Sequence, residues 1–92
     1  MRITVEYAAQ IKRAAGRGTE TFECDSPCTV QDVLGRVAER HEETLSTLLF
    51  GENRRLHPSI LLFVGDTQVR GDEPRELKDG DVLTILSPIS GG

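Results

Sequence analysis

Hydrophobic and polar residues alternate at the start of the chain. In the stretch RITVEY, residues 2–7, the apolar side chains stand at positions 3, 5 and 7, with polar residues between them. A period of two is typical of a strand with one buried face. The pattern predicts a first strand over residues 2–7, and residues 8–15 can form a short helical turn before a pair of glycines breaks the pattern.

A second strand is predicted over the stretch TETFEC, residues 19–24. The sequence allows two orientations of its side chains. Either Phe22 and Cys24 share one face with Glu20, or a twist places Phe22 alone on the buried side.

The clearest element is an amphipathic helix from Thr29 to His41. Its apolar face repeats at intervals of three and four residues, as one side of a helix does. Thr29 is suited to be its N-cap, and Asp32 stands where an acid favours the positive end of the helix dipole. A second short helical segment is predicted over residues 45–49. The residues of the main apolar face are Val30, Val33, Leu34, Val37, Ala38 and His41.

Three further strands are predicted in the second half of the chain. The run ILLFV, residues 60–64, and the run VLTIL, residues 82–86, are apolar on both faces, as central strands are. Residues 67–70 return between them as a short strand. The order of elements indicates a small α+β fold with a helix across one sheet face, in a single domain over residues 1–87.

Charge and hydropathy exclude several classes of function. The net charge is −4, and the eleven basic residues are scattered among fifteen acidic ones, so we expect no nucleic-acid partner. No apolar run is long enough to span a bilayer, so no membrane association is expected. The first ten residues alternate and lack the apolar core of a signal peptide, which favours a cytoplasmic location.

The chain is poor in residues that carry out catalysis, and it shows no phosphate-binding or metalloprotease motif. His41 is predicted to pack at the helix end, and His57 to be a solvated loop residue. Cys24 and Cys28 lack the further ligands that a zinc site needs, so we expect two reduced thiols. No catalytic residue and no metal ligand is predicted.

The chain ends in SPISGG, residues 87–92, and the last five of these, residues 88–92, are predicted to leave the domain as an extended tail. Proline lacks a backbone donor and favours an extended Ser87, so the sheet is expected to end there. Glycines without side chains let a partner close around the chain. The carboxylate of Gly92 becomes an acyl donor once adenylation by ATP supplies a leaving group; a frayed terminus is the alternative interpretation. The residues expected to thread into a partner's active site are Pro88, Ile89, Ser90 and Gly91.

The stretch LKDGDVLTILSPISGG, residues 77–92, closely resembles the end of the ubiquitin-like sulfur carriers of the MoaD/ThiS family. In that family an apolar residue, a DGD turn, a strand and a proline precede a terminal Gly-Gly. The stretches AAQIKRAAG, TVQDVLGRV and LLFVGDTQV extend the resemblance more weakly to the whole chain. The resemblance implies a β-grasp fold, with a mixed sheet of four to five strands and one main helix packed across one face.

The resemblance also implies a carrier protein and not an enzyme. An E1-like enzyme would use ATP to adenylate Gly92, and a sulfur donor system would convert it to a thiocarboxylate. The carrier itself would bind no cofactor. An acceptor enzyme, such as the large subunit of molybdopterin synthase, would then take the sulfur for molybdenum cofactor biosynthesis.

Other members of the family suggest alternative destinations. The region LLFGENRRLHPS, residues 48–59, also resembles carriers used in cysteine biosynthesis and archaeal ubiquitin-like modifiers. Sulfur delivery to cysteine or thiamine is therefore an alternative, as is conjugation of Gly92 to lysine amines.

Overall fold

The computed structural model describes residues 1–51 and 55–87, apart from the side chain of Glu43. This part of the chain contains five strands and two helices. In chain order they are β1 (Arg2–Ala8), α1 (Ala9–Ala15), β2 (Thr19–Glu23), α2 (Val30–Leu49), β3 (Leu61–Val64), β4 (Thr67–Val69) and β5 (Val82–Ser87).

The strands of the described residues form one mixed sheet in the order β2-β1-β5-β3-β4. The last strand of the chain, β5, occupies the centre. It runs parallel to β1 and antiparallel to β3, so both of its edges are hydrogen-bonded. The predicted α+β architecture and the central positions of β3 and β5 are confirmed.

Strand β2 shows which facing of TETFEC is adopted. Glu20, Phe22 and Cys24 all lie on the buried face, so the first of the two alternatives is correct. The acidic side chain of Glu20 is only 4% exposed. Burial of a carboxylate requires hydrogen-bonding partners, which are described with the site below.

Helix α2 begins with a capping box. The Thr29 side chain accepts a hydrogen bond from the backbone of Asp32, and the Asp32 side chain accepts one from the backbone of Thr29, at 3.2 and 3.0 Å. The two helical segments predicted from the sequence are continuous across a kink at Glu42, whose backbone angles are not helical (φ 14°, ψ −98°). At the kink, the Thr44 hydroxyl donates to the carbonyl of His41 at 2.8 Å.

The two faces of the sheet differ in their cover. Alternate residues of every strand point to α2 and are buried, including Ile3, Phe22, Leu62, Leu83 and Ile85. The intervening residues point to the opposite face, which neither helix of the described chain covers. We call it the open face. No helix within residues 1–51 and 55–87 is long and apolar enough to cross a membrane.

Candidate functional site

The C-terminal end of β5 is the point from which the predicted tail would leave. Ser87, its last residue, is 8% exposed and forms a parallel bridge with Ala9. The preceding Leu86 is paired with Ala8 on one side and Leu61 on the other. The chain is therefore held between two neighbouring strands up to its last described residue.

A small cleft lies beside this strand end. Its walls come from the start of α1, the C-terminal segment of α2 and the loop before β3. The loop is joined to α2 by a hydrogen bond of 2.6 Å from the backbone of His57 to the carbonyl of Leu49. The residues that line the cleft are Gln10, Ile11, Thr47, Leu48, His57, Ser59, Ile60 and Ser87.

His57 and Ser59 form the polar edge of the cleft. The Ser59 hydroxyl lies 2.9 Å from Nδ1 of His57, and the Ser59 backbone donates to the same nitrogen at 3.3 Å. A serine nucleophile would need its histidine to be oriented by a third group. Within residues 1–51 and 55–87 no carboxylate is hydrogen-bonded to His57 to orient it.

The open face carries four apolar side chains around Thr84. Leu61, Phe63, Val82 and Leu86 are all partly exposed on this face. Leu61 and Leu86 are directly paired across β3 and β5. We call these four residues the open-face patch. Because Leu86 immediately precedes Ser87, a protein that receives the tail can cover the patch at the same time.

A buried polar network occupies the other side of the sheet. The carboxylate of Glu20 accepts hydrogen bonds from the Tyr7 hydroxyl at 2.6 Å and lies 2.7 Å from Nε2 of His41. Arg17 and Arg40 reach its second oxygen at 3.4 and 3.3 Å. The network thereby joins β1, β2 and the residue of α2 that precedes the kink.

The network determines the ionisation of its members. Burial by itself would raise the pKa of Glu20, but hydrogen bonds from Tyr7, His41 and Arg40 outweigh it and lower the pKa from 4.5 to about 2. Burial, together with the hydrogen bond to Glu20, raises the pKa of the Tyr7 phenol far above its usual value. Glu20 is therefore a carboxylate at neutral pH, and Tyr7 remains a donor.

The two cysteines lie at the opposite end of the sheet from Ser87. Cys24 and Cys28 are both free and buried, as the sequence analysis expected. Burial raises the pKa of Cys28 to about 11, with a further contribution from the neighbouring Cys24 thiol. Within residues 1–51 and 55–87 no group of three or more His, Cys, Asp or Glu side chains is arranged to hold a metal ion.

The predicted tail residues lie outside the described residues. The assignments of adenylation to Gly92 and of threading to the residues before it, from Pro88 to Gly91, therefore stay predictions, as does the boundary between domain and tail. His57 is an exposed loop residue, as predicted. His41 packs against Glu20, but its predicted position at the helix end is wrong, because α2 continues to Leu49.

The sequence analysis missed two features of the described structure. These are the buried partners of Glu20 and the cleft beside Ser87. The partners of Glu20 had a signal in the sequence, because Tyr7, Glu20 and His41 are polar residues on the otherwise apolar faces of β1, β2 and α2.

Comparison with other proteins identifies relatives over all or most of the chain. The chain is 30% identical to the molybdopterin synthase sulfur carrier subunit of Chlamydomonas reinhardtii over 95 residues, which cover 100% of both proteins. It is 31% identical to the ubiquitin-related modifier 1 of Vanderwaltozyma polyspora over 71 residues, covering 74% of this chain and 69% of that protein.

Solved structures share the fold. SAMP1 from Haloferax volcanii superposes with a TM-score of 0.90 at 24% identity, over 100% of both chains. A chain of the BexX/CysO complex from Amycolatopsis orientalis gives a TM-score of 0.68 at 30% identity, over 98% of this chain and 99% of that one.

The sheet order, the helix across one face and these neighbours define a ubiquitin-like β-grasp protein. The model of the ThiS family matches residues 5–92. The chain belongs to this family of sulfur carriers and ubiquitin-like modifiers, which confirms the resemblance seen in the sequence.

Proposed function

We propose that this chain carries sulfur as a thiocarboxylate on Gly92 and donates it in molybdopterin synthesis. The observation that carries the proposal is the end-to-end match to a molybdopterin synthase sulfur carrier subunit. The central strand β5 supports it, because this strand leads directly towards the terminal Gly-Gly and is bonded on both edges. The chain is then the substrate of its partners' chemistry and does not act as a catalyst.

The chemistry begins with an unreactive carboxylate. An E1-like enzyme transfers AMP from ATP to the Gly92 carboxylate and releases pyrophosphate. Hydrosulfide (HS⁻) supplied by a donor system then attacks the acyl carbon and expels AMP, and loss of the proton leaves a thiocarboxylate. On the acceptor enzyme, the thiocarboxylate sulfur then bonds to a carbon of the acceptor and displaces a leaving group there. Water hydrolyses the resulting thioester, which leaves the sulfur on the acceptor and regenerates the Gly92 carboxylate. None of these steps requires a metal or cofactor bound to the carrier.

The open-face patch is the surface that we assign to the acceptor enzyme. Its four side chains are apolar and partly exposed, and two of them, Leu61 and Leu86, lie next to Ser87. A partner that covers them gains hydrophobic binding energy close to the point where it must also bind the tail. Docking on the patch would thus direct residues 88–92 into the partner's active site.

Conjugation to lysine amines is the second candidate function. The match to a ubiquitin-related modifier over 74% of the chain favours it. The same activated Gly92 would serve, since an amine can attack the acyl adenylate as a sulfur nucleophile does. The two functions differ only in the nucleophile and in the product.

The test reconstitutes activation and transfer with the full chain. The chain is incubated with the E1-like enzyme of its own host, ATP and a sulfide donor, and the C-terminal peptide is analysed by mass spectrometry. We expect one terminal oxygen to be replaced by sulfur, and a chain lacking Gly92 to remain unmodified although folded. Sulfur transfer by the chain lacking Gly92 would overturn the proposal.

Matched variants separate activation from docking. Phe63→Glu places a charge within the open-face patch, whereas Gln68→Glu places the same charge on the neighbouring strand, paired with Phe63 but outside the patch. We expect Phe63→Glu to weaken transfer to the acceptor at least tenfold and Gln68→Glu to leave it unchanged.

Peptides in which Gly92 is joined to lysine, without any thiocarboxylate, would instead favour conjugation.

A further inference from the structure

Strand β2 lies at one edge of the sheet, and its outer side carries backbone groups without a strand partner in the described chain. Met1 and Cys24 exchange two backbone hydrogen bonds of 2.8 Å, and Tyr7 donates to the carbonyl of Gly18 at 2.8 Å. In an antiparallel ladder such hydrogen-bonded residues alternate with residues whose backbone N–H and C=O groups point away from the partner strand. The outward groups of β2 therefore belong to Thr19, Thr21 and Glu23.

The β2 edge has features that favour strand addition. Its alternating N–H and C=O groups form a template that another extended chain can pair with. The strand has five residues and contains no proline. The side chains of Thr19, Thr21 and Glu23 are exposed and project onto the open face. They leave the outer edge accessible.

Cations surround the first part of this edge. Arg40 lies over the Phe22 ring, 4.2 Å from its centroid, and one of its nitrogens is 3.5 Å from the carbonyl of Thr21. The Lys12 side chain extends over Gly18, since a Cβ built there would lie 3.4 Å from Cε. Arg17, the third cation, is 58% exposed at its side chain.

The acidic side chains nearby do not add exposed negative charge to this first part of the edge. Glu20 is buried between Arg17 and Arg40, so one carboxylate faces two guanidinium groups. Glu23, at the other end of the strand, is paired with Arg2 at 3.3 Å. A chain with a net charge of −4 thus presents a locally positive edge.

From these observations we infer that the β2 edge binds an acidic, extended peptide segment of a partner protein as a sixth strand. Main-chain hydrogen bonds to Thr19, Thr21 and Glu23 supply the pairing. At the Thr21 carbonyl the added strand replaces the 3.5 Å hydrogen bond from Arg40. Carboxylates that flank the added strand meet Lys12 and Arg17. The inference is independent of the sulfur-carrier proposal, because β2 and β5 are separated by β1.

Two other occupants fit this edge less well. A nucleic acid can accept hydrogen bonds from the outward N–H groups through its phosphates, but it has no regular donors for the outward carbonyls. A second copy of the chain, paired through β2 around Thr21, would bring two Arg40 side chains together. Like charges facing each other across paired strands are destabilising.

The test uses a fluorescent peptide in which alternating valine and threonine residues are followed by a run of glutamates. We expect it to bind the full chain in an anisotropy titration, more weakly as salt increases, and to shift the amide signals of Thr19, Thr21 and Glu23. The same peptide with lysines in place of the glutamates should bind at least tenfold more weakly.

Thr21→Pro removes one outward N–H and leaves the ladder to β1 in place, because proline is tolerated where the N–H faces solvent. It should weaken peptide binding at least tenfold, whereas Thr21→Val, which retains the N–H, should bind as the native chain does. A chain without Gly91 and Gly92 should also bind normally, which separates this test from that of sulfur transfer.

Several outcomes would overturn the inference. One is that the acidic peptide shifts only amide signals of β4, the opposite edge of the sheet, in the native chain. Others are equal binding of the acidic and basic peptides, or displacement of the peptide by single-stranded RNA. Dimerisation of the chain through β2 without peptide would also contradict it. The amide shifts of the native chain decide the question even if Thr21→Pro fails to fold.

Discussion

Replacing Glu20 by glutamine tests whether the buried carboxylate stabilises the fold. Folding lowers its pKa from 4.5 to about 2. At about 1.4 kcal/mol for each pKa unit, the ionised form stabilises the folded state by roughly 3 kcal/mol at neutral pH. Arg17 and Arg40 are 58% and 45% exposed, so solvent screens their share, and a loss of about 2 kcal/mol is the conservative expectation for Glu20→Gln.

The pH dependence of this loss follows from the direction of the pKa shift. The folded-state pKa of Glu20 is below its unfolded value, so its contribution is complete above about pH 4.5. As the pH falls, the unfolded state is protonated first and the contribution shrinks. It disappears when the pH passes the folded pKa of about 2. The free energies of unfolding of the native chain and Glu20→Gln should therefore converge between these two pH values.

The assay is urea denaturation followed by circular dichroism, since the chain contains no tryptophan. The control is Glu6→Gln, the same substitution at an exposed position of β1. It should change the free energy of unfolding by less than about 0.5 kcal/mol. Two results would refute the reasoning. One is a difference in the free energy of unfolding between the native chain and Glu20→Gln that stays constant from neutral pH to about pH 2. The other is a difference that is below about 1 kcal/mol throughout.

Two further predictions concern a helix glycine and the thiols. Gly35→Ala should raise the free energy of unfolding by up to about 1 kcal/mol, because a Cβ at this position in α2 meets no atom within 4 Å and alanine is the better helix former. Gly80→Ala should lower the free energy of unfolding, because Gly80 has a φ of +88°, which alanine adopts only with strain. Thermal denaturation of the two variants measures both changes. Cys24 and Cys28 should react with a thiol reagent far more slowly in the native chain than in urea, because both are buried and the pKa of Cys28 is about 11. Rapid native labelling of either thiol would contradict that expectation.

The fold was largely predictable because its apolar positions repeat with clear periods. The alternation in β1 and the helical repeat after Thr29 each specify one buried face, and the structure uses both. The facing of β2 was not decided, because Glu20 reads as a surface residue unless its partners are known. Those partners come from β1 and α2, far away in the sequence. The continuity of α2 across Glu42 was equally hidden, since the apolar repeat that begins at Val30 ends at His41.

The proposed docking surface was less predictable than the fold, because it is assembled from strands that are distant in sequence. Both ILLFV and VLTIL were apolar on two faces, and the sequence alone did not tell which face is left uncovered. The sheet order resolves this, since α2 covers Leu62 and Ile85 and leaves Leu61 and Leu86 on the open face.

The position of β5 also has an energetic consequence for the tail. Fixing the backbone of one residue costs about 1–2 kcal/mol, so holding the five residues 88–92 in a partner's active site costs roughly 5–10 kcal/mol. Two glycines supply no side-chain contacts to offset this cost. Part of the binding energy must therefore come from elsewhere on the domain, and Leu61 and Leu86 of the open-face patch lie beside the strand end. Because β5 is bonded to β1 and β3 up to Leu86, a partner that docks on the patch receives the tail from a fixed starting point and has no further strand residues to order.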